Sequence, residues 1–114
     1  SVTLAAANKR VGNILAKFSG QLYPEFKVEL ATGAEEQALA NAFNDVKTTI
    51  APFMQAKDYQ AALTELACLK APIDNFFDNV MVMADDEAIK TNRLTLLNEI
   101  RNSFFAIADV ALLQ

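Results

Sequence analysis

Asp85, Asp86 and Glu87 form the densest run of ionisable side chains in this 114-residue sequence, directly after the stretch FFDNVMVMA at 76–84. Three carboxylates together suit a divalent cation, or a division of labour between an acid and a base. A catalytic pair needs two environments that separate its pKa values, whereas consecutive helical residues do not face one another. A calcium loop needs acids at alternate positions, a central glycine and a glutamate at position twelve, and that pattern is missing here. The run reads instead as a helix boundary. Asp85 or Asp86 is placed to cap the following helix, and the neighbouring acids oppose the positive end of its dipole.

Two further carboxylates, Asp74 and Asp78, are four residues apart, so on a helix they stack and repel unless a cation intervenes. Arg93 falls within the apolar stripe of the last helix, close in angle to Ile89 and Ile100. A guanidinium in that position needs a carboxylate and fixed hydrogen bonds. The expected arrangement pairs Arg93 with Asp74, Asp78 or Asp85 between the last two helices, as a structural ion pair or as part of a ligand contact.

Cations are distributed unevenly. Residues 1–20 contain Lys9, Arg10 and Lys17 and no acid, so they carry +3 within a chain of net charge −4. With no histidine and the single Cys68, a transition-metal site of ordinary ligands is disfavoured and histidine acid/base chemistry is excluded. One cysteine cannot close an intramolecular disulfide, which suits a reducing cytoplasmic compartment. No apolar run approaches the roughly 18 residues that span a bilayer, so no membrane partner is expected. The opening SVTLAAANKR places its apolar residues before its basic ones, unlike a signal peptide.

The elements that must position these groups are helical almost throughout. Hydrophobic residues make up 53% of the chain, with three Gly and three Pro, a composition that excludes disorder and disfavours a turn-rich β fold. Leu4, Ala7, Val11, Ile14, Leu15 and Phe18 recur at helical spacing, and Lys9, Arg10, Asn13 and Lys17 fall on the opposite side. Residues 20–33, with Gly20, Pro24 and Gly33, predict a connection packed through Tyr23, Phe26 and Leu30. Thr32 to Glu35 reads as a capping box opening a helix with Leu39, Phe43, Val46, Ile50 and Phe53 on one face, kinked or ended by Pro52. Asp58 is placed to cap a third helix, and Pro72 to begin a fourth. The fourth stripe gathers Ile73, Phe76, Phe77, Val80, Met81 and Ala84, which outweighs the strand-like Val-Met alternation. The last helix, about 86–108, buries Ile89, Leu96, Leu97, Ile100, Phe104 and Ile107. The fold class is all-α, a single bundle of about five helices.

The stretch PIDNFFDNVMVMADDEAIKTNRLTLLNEIR, with ANKRVGNIL, DYQAALTELACLKAP and IADVALLQ around it, resembles the C-terminal region of the β subunit of bacterial glycyl-tRNA synthetase. The resemblance covers nearly the whole chain. It implies that residues 1–114 are an excised C-terminal part of a longer chain, forming an anticodon-binding helical domain of the DALR type, similar to that of arginyl-tRNA synthetase. Lys70 and Lys90 stand where the family pattern has arginine, so they are weaker candidates for bidentate phosphate contacts.

In such an enzyme the α subunit carries the class II catalytic site and the β subunit much of the tRNA recognition. The resemblance therefore implies a non-catalytic share in an ATP-dependent glycine–tRNA ligase, with no cofactor in this domain. Its implied partners are tRNA for glycine, the rest of the β subunit and the α subunit. No glycine-rich phosphate loop or class I signature appears, in keeping with that share. Anticodon loops present unstacked bases and flanking phosphates to aromatic, Arg, Asn and Lys side chains. The candidate tRNA contacts are Lys9, Arg10, Asn13 and Lys17 on the first helix, with Asn92, Asn98 and Asn102 as a second surface. Phe76 and Phe77 are read as core rather than stacking platforms. The rival readings are a helical protein–protein interaction module without nucleic-acid binding, and a small enzyme with a pocket of perturbed ionisable groups.

Overall fold

The apolar stripes turn inward wherever the chain is helical, which is how helices of this length gain most of their stability. The computed structural model describes residues 2–113, with side chains from Ala5 onward. The helices are α1 (Val2–Ala16), α2 (Ala34–Gln55), α3 (Tyr59–Leu66), α4 (Lys70–Asn79) and α5 (Glu87–Leu112). Short 3-10 turns lie at Val28–Leu30 and Ala67–Leu69. The second turn joins α3 directly to α4, so these two helices form one interrupted rod and the bundle has four rods. No strand occurs among the described residues.

The core is drawn from every helix. Val11, Leu39, Leu66, Ile73, Phe76, Leu94, Leu97 and Ile100 are all within 1% of complete burial. Ile14, Leu15 and Phe18 pack against it from the end of α1; the side chain of Leu4 lies outside the described residues. Long α2 and α5 carry most of the buried residues, while α1 lies across α4 and α5.

Helix ends follow identifiable chemistry. The Asp58 carboxylate accepts from Ala61 N–H at 3.2 Å, and the Asp86 carboxylate accepts from Ile89 N–H at 3.1 Å, as their positions predict. Pro52 does not end α2, which continues to Gln55. Termination comes instead from Lys57 in the left-handed region at φ 60°. Asp58 N–H donates to Phe53 C=O at 2.8 Å and Lys57 N–H to Met54 C=O at 3.1 Å, the paired bonds of a Schellman ending. Lys57→Gly should therefore relieve the left-handed strain and raise stability by about 0.5–1 kcal/mol, read as a higher denaturation midpoint. A lowered midpoint would mean that the lysine side chain contributes more than its backbone costs.

Three boundaries differ from the sequence reading. The N-cap of α2 is Gly33, without a side-chain bond; the Thr32 hydroxyl is instead committed to Arg93 at 3.1 Å, so the capping box does not form. Pro72 lies in the first turn of α4 rather than at its start, because the chain enters that helix through the 3-10 turn. α4 ends at Asn79, and Val80 is extended at φ −125°, ψ 131°. Beyond it Met81 is 73% exposed, Val82 6% and Met83 38%. The Val-Met alternation is thus a true period of two, with valine inward and methionines outward.

Candidate nucleic-acid interface

The connection between α1 and α2 is long and irregular, a kind of segment that is uncommon without a function or an external brace. Here α5 is the brace. Asn92 accepts from Lys27 N–H and donates to Lys27 C=O, both at 2.8 Å. Thr95 accepts from Tyr23 N–H at 3.1 Å and donates to Thr91 C=O at 2.7 Å. Glu99 accepts from Phe26 N–H at 2.6 Å. Residues 92, 95 and 99 lie along one side of α5, so a row of polar side chains satisfies the backbone of a strip whose only regular element is the 3-10 turn at Val28–Leu30. Leu22 and Phe26 add apolar contact to the core, and Tyr23 and Leu30 are half-buried.

This geometry removes Asn92 from the candidate tRNA contacts. It is 0% exposed, and its amide is consumed by Lys27. Asn102 is exposed and Asn98 half-buried.

Arg93 forms an ion pair, but with none of the three aspartates. Its Nε donates to Glu36 at 2.7 Å, its Nη1 to Met81 C=O at 2.7 Å and its Nη2 to the Thr32 hydroxyl at 3.1 Å. The partner comes from α2 because Glu36, in the first turn of that helix, is fully buried beside α5. Asp74 pairs locally with Lys70, four residues earlier. Asp78 is exposed and forms no ion pair among the described residues, and Asp85 is exposed.

The first helix carries the cationic face. Lys9, Arg10, Asn13 and Lys17 are all exposed and lie within an arc of about 100°; Lys17 itself stands just beyond the last residue of α1. None of the three cations forms an ion pair among the described residues. The Arg10 guanidinium lies 4.2 Å from the centroid of the Phe77 ring, so one edge of the face is fixed by a cation–π contact with α4. Phe76 is core, while half-buried Phe77 meets it edge-on at 6.0 Å and supports Arg10.

A fourth cation, Arg101 of α5, reaches the other edge of α1. A β-carbon at Gly12 would stand 3.2 Å from its Nε and Nη2, and its guanidinium lies 4.7 Å from the Phe105 ring centroid. The sequence reading did not single it out. The signal available was Gly12 itself, an isolated glycine inside a strong helical pattern.

Among the described residues no group of three or more His, Cys, Asp or Glu is arranged to hold a metal ion, and no helix is long and apolar enough to cross a membrane. What the surface offers chemically is uncommitted positive charge, hydrogen-bond donors and phenyl rings that orient two guanidiniums.

A family model described as the DALR anticodon binding domain matches residues 4–110. Among curated proteins the chain is similar to the glycine–tRNA ligase β subunit of Colwellia psychrerythraea, at 67% identity over 114 residues, all of this chain and 17% of that protein. It is likewise similar to the β subunits from Aeromonas hydrophila, 56% identical over 114 residues (all of this chain, 16% of the relative), and Vibrio cholerae, 58% identical over 111 residues (97% and 16%). The chain thus spans about a sixth of the length of these relatives.

Proposed function

Because the chain belongs to the DALR anticodon binding domain family, we propose that it is the tRNA-recognition domain of a glycine–tRNA ligase β subunit. The observation that carries the reading is the exposed face of Lys9, Arg10, Asn13 and Lys17, unneutralised by carboxylates on a chain that is acidic overall. On this reading the domain contributes binding energy and register, not bond-making. Lysine and arginine on α1 engage phosphates flanking the anticodon loop, and neighbouring polar and aromatic groups meet its unstacked bases. Activation of glycine with ATP belongs to the whole cytoplasmic enzyme, through the class II site of its α subunit. This domain holds no cofactor and partners the rest of the β subunit.

The test is a charge reversal, Arg10→Glu with Lys17→Glu, in the complete α/β enzyme. Both side chains are exposed, Arg10 on α1 and Lys17 just beyond its end, so the core should be unaffected. Loss of two phosphate contacts should flatten the slope of log affinity for tRNA against log salt by roughly 1–2 units, and reversed charge should slow encounter. Arg10 also packs on Phe77, so thermal melts accompany the titrations. Parent-like affinity and slope would refute the basic-face reading and favour a helical module that binds protein instead.

A further inference from the structure

We propose that Arg101, seated between Gly12 of α1 and the ring of Phe105, is a phosphate-binding residue of the same RNA-facing surface, contributed by a second helix. The inference rests on the tRNA reading above and extends it across the seam between α1 and α5.

The seat is specific. A β-carbon at position 12 would stand 3.2 Å from Nε and Nη2, so the guanidinium would have to give by a few tenths of an ångström to keep its place, and glycine lets it lie closer against the helix. Glycine inside a helix is unfavourable relative to alanine, and here it meets a packing need. On the other side Phe105 supports the same group at 4.7 Å. Arg101 forms no ion pair among the described residues, and its Nε is buried without a hydrogen-bond partner. One turn earlier on the same side of α1, Asn8 is buried with both amide atoms unpartnered.

A half-buried guanidinium that is held flat and left unneutralised is a ready receptor for an oxyanion, because its planar fork matches phosphate oxygens in pairs. Its position makes that oxyanion part of the RNA backbone. Gly12 borders the exposed arc that holds Lys9 and Asn13, so Arg101 bounds one side of the cationic face as Arg10 bounds the other. Each of the two guanidiniums rests on a phenyl ring, which fixes its direction before any ligand arrives and lowers the ordering cost of binding.

The experiment measures the affinity of the complete α/β enzyme for tRNA of glycine across a salt series. Arg101→Gln should flatten the salt slope by roughly 0.7–1 unit, one phosphate contact, with an unchanged melt. Arg101→Lys should keep the slope but bind more weakly than the parent, since charge is retained and the fork lost. Gly12→Ala should shift the guanidinium by a few tenths of an ångström and weaken binding modestly. Combined with Arg101→Gln it should add nothing, since both act on one contact. Parent-like affinity and slope for Arg101→Gln, beside a weakened Arg10→Glu/Lys17→Glu variant, would overturn the role of Arg101 and leave the tRNA reading standing. Parent-like binding by both would remove that reading too. Should Arg101→Gln lower the melt, Arg101→Lys decides: it retains the cation and loses only the fork, so a salt slope as flat as that of Arg101→Gln, or affinity equal to the parent's, overturns the proposal.

Discussion

Arg93→Ala is expected to lower stability by about 3–5 kcal/mol, the cost of stranding one member of a buried ion pair. Glu36 is 0% exposed, and one of its carboxylate oxygens already lacks a partner, so Arg93 is its compensating charge. The same side chain also binds Thr32 before α2 and Met81 C=O in the α4–α5 connection. Alanine would therefore release three segments together. Urea denaturation is the measurement, and an unchanged midpoint would show that the pair contributes nothing. The double variant Glu36→Leu/Arg93→Met gives the complementary result. With both charges removed and apolar groups of similar reach in place, much of the lost stability should return, because burying the two ions was itself costly. A double variant as unstable as Arg93→Ala would assign the loss to the Thr32 and Met81 bonds.

Asn92→Ala is expected to cost about 1–3 kcal/mol, since it leaves the N–H of Lys27 without a partner beneath a packed strip, while the Lys27 C=O loses one of two donors and keeps Leu30 N–H at 3.1 Å. The loss should be local in character. Hydrogen exchange at Phe26 and Lys27 should accelerate more than at Leu97 or Ile100, because the strip can lift from α5 while the core stays closed. Exchange that rises equally everywhere would mean that the strip and the core open as one unit. Asn92→Asp keeps an acceptor for Lys27 N–H but turns a carboxylate toward Lys27 C=O, so it should fall between parent and alanine.

Some features governed by nearby residues were legible in the sequence, although the equally local capping box at Thr32 to Glu35 does not form because Arg93 takes the Thr32 hydroxyl. Asp58 was placed as one cap and Asp85 or Asp86 as another, because a cap acts within three residues; the structure selects Asp86. The stripes of α1, α2 and α5 followed from spacing alone, and so did the exposed face of Lys9, Arg10, Asn13 and Lys17. Arg93 was recognised as a cation needing a carboxylate and fixed bonds. Its partner was misplaced because Glu36 lies 57 positions away, while three nearer aspartates met the same requirement. Asn92 has the same explanation: a polar residue on a helix reads as surface until a strip 65 positions away covers it. The Val-Met run failed differently. Its period of two was visible, but four residues of alternation carry less weight than a longer helical wheel that happens to include them.

The brace between α5 and the α1–α2 connection also orders events in time. Its hydrogen bonds join positions 65 to 73 residues apart, so on a chain made from its N-terminus the strip at 21–33 has no anchor until the last helix is made. Closing a loop of that span costs on the order of 4 kcal/mol of chain entropy, repaid only when α5 has docked. The α2–α3–α4 portion, whose contacts are closer in sequence, is free to assemble earlier. Refolding should accordingly be slower than for a helical protein built from local contacts, with the α1–α2 strip gaining protection last. The cationic face would then be set in place by the final stage of folding.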